Sequence, residues 1–327
     1  MRKITIPILT VFLLFIALSY TKPSAAILVE ECDFDVNFER KYSTTTLINH
    51  TPIYIDSNSD FTTYNFTGSG IITDPYIIAN LNITVTGSSS SGIFITSTSA
   101  YFEIWNCTIF TEFIGIRIDS VNTGAPKIIN NICISTNGDG GGIGLGMSSY
   151  CTIQENEMAN FMQGVHLNSA HHNTITGNRI PWSNYQGINI RNSNYNEITY
   201  NQINNAEQHG VAMVGSASQN VIHHNYFVNN SKVETYLIDG ERSGTINSQG
   251  YDEGYSNTWY DATSEYGNHW SDYDGSGSYS IDGPSASVDI YPLYLTYPNE
   301  SPISNIIIIL AITSLSAIQF IINRKKK

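Results

Sequence analysis

The chain has 327 residues, of which 28 are acidic, 15 are basic and only 13% are charged in all, while Gly and Tyr are abundant at 25 and 21. So acidic a chain repels nucleic acid. The scarcity of Leu, Ala, Glu and Lys excludes a body built on helices and favours strands.

Residues 1–26 read as a secretory signal: Met1 to Lys3 is basic, Ile4 to Tyr20 is apolar, and Ser24-Ala25-Ala26 offers small residues for cleavage. The apolar run is nearly long enough to span a bilayer, so an uncleaved anchor is the alternative. Residues 27–91 are assigned to an N-terminal cap and the first, degenerate coils. There Cys32 to Asp60 is expected to cover the front of the fold, with Pro52-Ile53-Tyr54-Ile55 as its strand, and Asn80 to Val85 fits a turn feeding a strand.

From 92 to 233 one spelling recurs. "NTITGNRI", Asn173 to Ile180, is followed 23 residues later by "NEITYNQI" and 24 residues after that by "NVIHHNYF". In step with it, Gly92, Gly115, Gly142, Gly164, Gly187 and Gly210 each open an alternating apolar segment, at spacings of 23, 27, 22, 23 and 23. The long spacing is ascribed to a loop at Asn137-Gly-Asp-Gly-Gly. Such periods fit a leucine-rich repeat or a β-solenoid, and the half away from the glycine decides between them. It carries short alternating Ile, Val and Asn segments where a leucine-rich repeat needs Leu, so each repeat reads as about three short strands. The expected fold is an all-β, single-stranded parallel β-helix. Val165, Ile188 and Val211 should form one buried file, and Asn156, Asn178, Asn201 and Asn225 one corner, with left-handed backbone and hydrogen bonds along the stack.

Residues 234–297 are assigned to the last coils and an aromatic C-terminal cap containing Trp259, Tyr260, Tyr266, Trp270, Tyr273, Tyr279 and Tyr291. Within it Asp272, Asp274, Ser276 and nearby Asp282 spell the first half of a calcium loop, although Gly283 stands where the bidentate Glu belongs. The competing reading is a Gly/Ser turn decorated with acids. Residues 303–322 are apolar without a charge and 323–327 form a basic cytoplasmic tail, which predicts a single-pass type I anchor with the β-helix on the extracellular face. Removing the seven cations of the two ends leaves 8 basic against 28 acidic residues, a net of −20 outside the cell.

Of four cysteines, Cys107, Cys133 and Cys151 recur near the same repeat position, so two of them could bridge neighbouring turns or all could be small buried thiols. Sequons at Asn49, Asn65, Asn82, Asn106, Asn229 and Asn299 permit glycosylation.

"PIYIDSNSDF", "GSGIITDPYIIANLNI", "NTWYD" and "GNHWSDYDGSGSYSIDGPSASVDIYPL" give the stretch from about residue 50 to 295 a resemblance to the NosD-like, or periplasmic copper-binding, β-helix proteins. These include archaeal-type secreted and surface-anchored members. The resemblance implies a right-handed parallel β-helix and a role in copper delivery, and the wider superfamily contains sugar hydrolases, lyases and epimerases. Fold transfers further than function along such a likeness.

Polymers bind such helices on the outward positions of the glycine strand. Reading two and four residues after each glycine gives a polar middle: Arg117, Asp119, His166, Asn168, Asn189 and Arg191, candidates for hydrogen bonds to a surface or environmental polysaccharide. A glycosidase needs two carboxyl groups about 5–10 Å apart, and Asp119 is the only one in these columns, so binding without catalysis is favoured over an enzyme. An inert solvated strand is the third possibility. Copper is not expected: His171-His172 and His223-His224 lie two coils apart, and neighbours along a strand point to opposite faces.

Overall fold

A computed structural model describes residues 46–294 apart from 88, 234, 239 and 240. The expected signal at 1–26, the anchor at 303–322, the tail at 323–327, Cys32 and the sequon at Asn299 lie outside the described residues. Among the described residues no helix is long and apolar enough to cross a membrane.

Each coil contributes strands to three faces of a parallel β-solenoid. The glycine sheet begins at Ile53–Ile55, Ile93–Thr96, Ile114–Asp119 and Gly141–Gly146. It continues through the second halves of Glu157–Asn168 and Arg179–Arg191 into Val211–Val214 and Gly250–Asp252. A second sheet runs from Ile48–His50 through Leu81–Thr84, Thr108–Thr111 and Ile132–Ser135 to the first halves of the same two long strands, which bend around the shared corner. The third has seven strands, from Tyr76–Ala79 to Val221–His223. Alternation decides which side chains enter: Ile53 and Ile55 are buried and Tyr54 between them is exposed. Val165, Ile188 and Val211 are partners in successive strands, all with no exposed surface. The strand Ile53–Ile55, expected in a cap, is already a rung of the glycine sheet.

The glycines that open these strands are fixed by crowding at the corner. A Cβ on Gly115 would lie 2.5 Å from the Gly142 carbonyl oxygen, and one on Gly187 2.6 Å from that of Gly210, so the backbones of successive rungs meet where any side chain would stand.

The asparagines differ from expectation. At their corner the left-handed residues are Glu155, Gly177, Tyr200 and His224, each one position before a ladder asparagine. The left-handed residue turns the chain, and the next side chain then points inward, where Asn156, Asn178, Asn201 and Asn225 are fully buried. Each amide oxygen accepts the backbone N–H and the Nδ2 of the preceding rung, as Asn201 Oδ1 does from Asn178 at 2.9 Å each. Each Nδ2 also reaches a strand carbonyl, Ile175 in the case of Asn201.

Among the described residues three files with such bonds end on a carboxylate. Asn131, Asn156, Asn178, Asn201, Asn225 and Asn268 terminate on Asp289. Asn173, Asn196, Asn220 and Asn257 terminate on Asp252. Asn230 and Gln249 terminate on Asp272. A carboxylate only accepts, so it closes a line of donors without needing a further partner. The aromatic end supplies more donors, because the indoles of Trp270 and Trp259 point at Asp289 and Asp252. Phe227, Trp270 and Tyr279 stack at 4.2 and 4.1 Å and close the core.

Cys107, Cys133 and Cys151 are free and buried, so the bridge between turns is not formed. Burial pushes the Cys107 thiol up to about 11 and Cys151 up to about 12, and drives Cys133 upward as well. Because the thiolate is the reactive form, peptide mapping after treatment of the native protein with a thiol reagent should find all three unmodified, and all three modified in denaturant.

Candidate functional site

The register of the glycine sheet sets the outward residues in file. One column is Tyr54, Phe94, Arg117, Gly144, His166, Asn189, Ala212 and Tyr251. The other is Thr96, Asp119, Gly146, Asn168, Arg191 and Val214. Rungs lie about 4.8 Å apart, so Tyr54 to Asn189 spans about 24 Å.

Four kinds of surface follow one another along this strip. Tyr54, 52% exposed, leans on Phe94 at 5.3 Å between ring centroids. The Arg117 guanidinium lies 4.7 Å from the Phe94 centroid and forms an ion pair with Asp119. Next comes bare backbone. A Cβ on Gly144 would meet nothing nearer than Ile114 Cγ2 at 3.9 Å, whereas Gly146 has no room for one because the Asp119 carboxylate folds over it. Beyond this floor stand His166 and Asn168, then Asn189 and Arg191.

The far wall is held by amides. His166 Nδ1 lies 2.6 Å from Gln163 Oε1, Gln163 Nε2 donates to Gln186 Oε1 at 2.9 Å, and Gln186 Nε2 donates to Gln208 Oε1 at 2.9 Å. A glutamine oxygen cannot donate, so the His166 proton sits on Nδ1 and Nε2 is an acceptor. Burial, and then the Arg191 charge, hold this imidazole below its ordinary pKa and therefore neutral at neutral pH. Asn189 is 5% exposed; its Nδ2 approaches Gln186 Oε1 at 3.5 Å and its Oδ1 has no partner. Further along, Ile246 packs on Ala212, Val214 and Tyr251 and roofs the strip. On the other side Ser57, Asn58, Ser97, Thr98, Ser99, Ser120, Asn122 and Thr123 line an open hollow of about 840 Å³ beside Thr96 and Asp119.

The structure thus pairs Arg117 with Asp119 and sets His166, Asn168, Asn189 and Arg191 on two adjoining rungs, with one glycine rung between the groups. The glutamine ladder and Tyr54 escaped the sequence reasoning. The signal for the first was present in Gln163-Gly164, Gln186-Gly187 and Gln208-His209-Gly210, a polar residue recurring just before the strand-opening glycine.

The four residues of the calcium loop are not brought together. Asp272 takes Gln249 Nε2 at 2.6 Å and the Tyr279 hydroxyl at 3.0 Å, as the end of its amide file. Asp274 accepts the Ser276 N–H at 2.9 Å, which is an ordinary turn. Asp282 lies 3.2 Å from the buried His209 and accepts the N–H groups of Asn247 and Ser248. Among the described residues no three His, Cys, Asp or Glu converge as a metal would require.

The two histidine pairs differ in their surroundings. His172 is stacked between Tyr150 and Tyr195, at 5.3 and 4.8 Å. His223 and His224 do not point apart: their Nδ1 atoms lie 2.5 Å from each other. The strand ends at His223, and His224 has φ of 58°, which swings its ring to the same side.

No curated protein matches the sequence. A family model described as periplasmic copper-binding protein (NosD) matches residues 37–275, the greater part of the chain, and the solenoid with its stacked rungs agrees with that match; the chain belongs to the NosD family.

Proposed function

We propose that this chain is a β-solenoid module displayed outside the cytoplasm that binds neutral polysaccharide along its glycine sheet without turning it over. The observation that carries this reading is the strip itself: an aromatic pair, an Arg–Asp pair, a floor of bare backbone one rung wide and a wall of oriented amides with a neutral histidine. Sugars are bound by such flat polar groups beside an aromatic face. The rungs flanking the floor are about 9.6 Å apart, room for one sugar ring. Neutral polymers are favoured because Asp119 offsets Arg117 and the chain as a whole is acidic. Asp119, the only carboxylate on these outward positions between Thr96 and Arg191, is engaged by Arg117, which leaves no second acid for glycoside cleavage. In this reading 1–26 directs export and 303–322 anchors the module.

Neutral and acidic polysaccharides titrated onto the full chain should show binding of the neutral ones that weakens about ten-fold or more in Gly144→Val and in Arg117→Ala/Arg191→Ala. Gly144→Val has space for its side chain and should leave the melting temperature within a few degrees, because the change fills the floor and nothing else. Equal affinity for the native protein and the double variant would remove the reading. Release of reducing ends or unsaturated products would replace it with an enzyme.

The family description names copper as what its members bind, so copper delivery is the second reading. Among the described residues, the imidazoles of His223 and His224 face each other, their Nδ1 atoms 2.5 Å apart.

A further inference from the structure

The hollow beside Thr96 and Asp119 is lined by Ser, Thr and Asn alone, with a volume of about 840 Å³. Clefts of about 300–1,000 Å³ are of the size that takes small ligands. It begins one residue past the strip: Ser97 and Ser120, at left-handed corners with φ of 53° and 56°, directly follow Thr96 and Asp119. The adjoining rung carries Met147 at the same corner, with φ of 46° and 59% exposed, so the hydroxyl lining stops there.

Both walls are pinned. On one side Asn58 is tied to the rung: its Oδ1 accepts from the Thr98 hydroxyl and the Ser99 N–H, and its Nδ2 donates to Ser99 Oγ at 3.0 Å. Asp60 accepts the N–H groups of Asp56 and Ser57 at 3.0 Å each, which fixes the same loop. On the other side Gly124 is pressed against the rung, since a Cβ there would lie 2.2 Å from the Ala100 carbonyl oxygen. Between these walls Ser120, Asn122 and Thr123 are exposed, and among the described residues none of the three uses its side chain in a hydrogen bond. A cleft with fixed walls loses little affinity to ordering when a ligand enters.

The lining suits a neutral sugar. Hydroxyls and carboxamides both donate and accept, as sugar hydroxyls do, so the two sets can pair in either sense. No lining residue carries a charge to hold an ion, and none is a large apolar group to hold a lipid. The nearby carboxylate, Asp119, is turned away, because it pairs with Arg117 and folds over Gly146. We infer that the hollow takes the side group of a branched neutral polysaccharide whose backbone lies along the strip; this assignment rests on the polysaccharide reading of the glycine sheet. A backbone sugar beside Phe94 and Arg117 has the hollow at its flank, since Thr96 and Asp119 follow on the same two strands.

The probes are a linear manno-oligosaccharide with its galactosyl-substituted form and a linear cello-oligosaccharide with its xylosyl-substituted form, titrated onto the full chain by calorimetry. The substituted member of a pair should bind about ten-fold or more tightly than its linear parent. Ser120→Met should remove that advantage and leave the linear parent unchanged, because it fills the hollow with a side chain that the same corner already accommodates at Met147. Asn122→Ala/Thr123→Ala removes polar groups without adding bulk; it should cut the advantage too, and it carries the test if Ser120→Met does not fold. Arg117→Ala/Arg191→Ala should instead weaken both members of a pair. Equal affinity within both pairs, or an advantage that survives both changes to the hollow, would overturn the inference and leave the polysaccharide reading standing. Failure of every probe to bind would remove that reading and the inference with it.

Discussion

Asn201→Ala should destabilise the fold by about 3–5 kcal/mol and lower the melting temperature by about 10 °C. The side chain removed is fully buried and serves four groups: it accepts from the N–H and Nδ2 of Asn178, and it donates to the Ile175 carbonyl and to Asn225 Oδ1. Truncation strands a buried N–H on one side and withdraws a donor from a buried carbonyl on the other, at about 1–3 kcal/mol for each group left unmet. Ala adds no bulk, so the loss is electrostatic. As a comparison, Asn168→Ala on the exposed face should stay within about 0.5 kcal/mol. The double variant Asn178→Ala/Asn201→Ala should cost less than the two singles together, because neighbours in one file share a hydrogen bond. Denaturant unfolding of the native protein and these four variants checks all of this, and additive losses would mean that the rungs are independent.

Gly187→Val should be nearly as severe, about 3 kcal/mol or more, for the opposite reason. Its Cβ would stand 2.3 Å from Ile203 Cγ2 and 2.6 Å from the Gly210 carbonyl oxygen, and the second of these belongs to backbone that is itself pinned between rungs. No rotamer change relieves it. The same substitution at Gly144, where the nearest atom would be 3.9 Å away, should be tolerated. A melting temperature lowered by about 6–12 °C in the first and hardly moved in the second separates corner crowding from a general intolerance of β-branching in glycine-rich strands.

What the sequence disclosed is what stacking forces into register. A solenoid sets residue i on residue i+23, so Val165, Ile188 and Val211 had to match in kind, and their spacing alone gave the rung, its inward positions and the outward columns. Local backbone is a different matter. The asparagine spelling suggested a left-handed corner at Asn178 and Asn201, but the left-handed residues are Gly177 and Tyr200. Composition shows that a corner exists without saying which of two adjacent positions carries the positive φ. Strand alternation failed at His223 and His224 for the same reason, since the rule holds only until the strand stops. Asp272, Asp274 and Ser276, with Asp282 nearby, looked like half of a metal loop because acids spaced by two resemble one; the partners that occupy Asp272 and Asp282, Gln249 and His209, come from earlier in the sequence. The glutamine file was legible in hindsight, yet nothing in the spacing distinguished a ladder from three solvated side chains.

The carboxylates that finish the three amide files give the molecule a direction and an end. Every bond from one amide to the next along a file points toward the C-terminal side, and Asp289, Asp252 and Asp272 receive the last of them. Lengthening the rod is a task for its middle: a duplicated rung spliced between Asn178 and Asn201 would find the correct partner on both sides, whereas the same rung appended after Asn268 would find none.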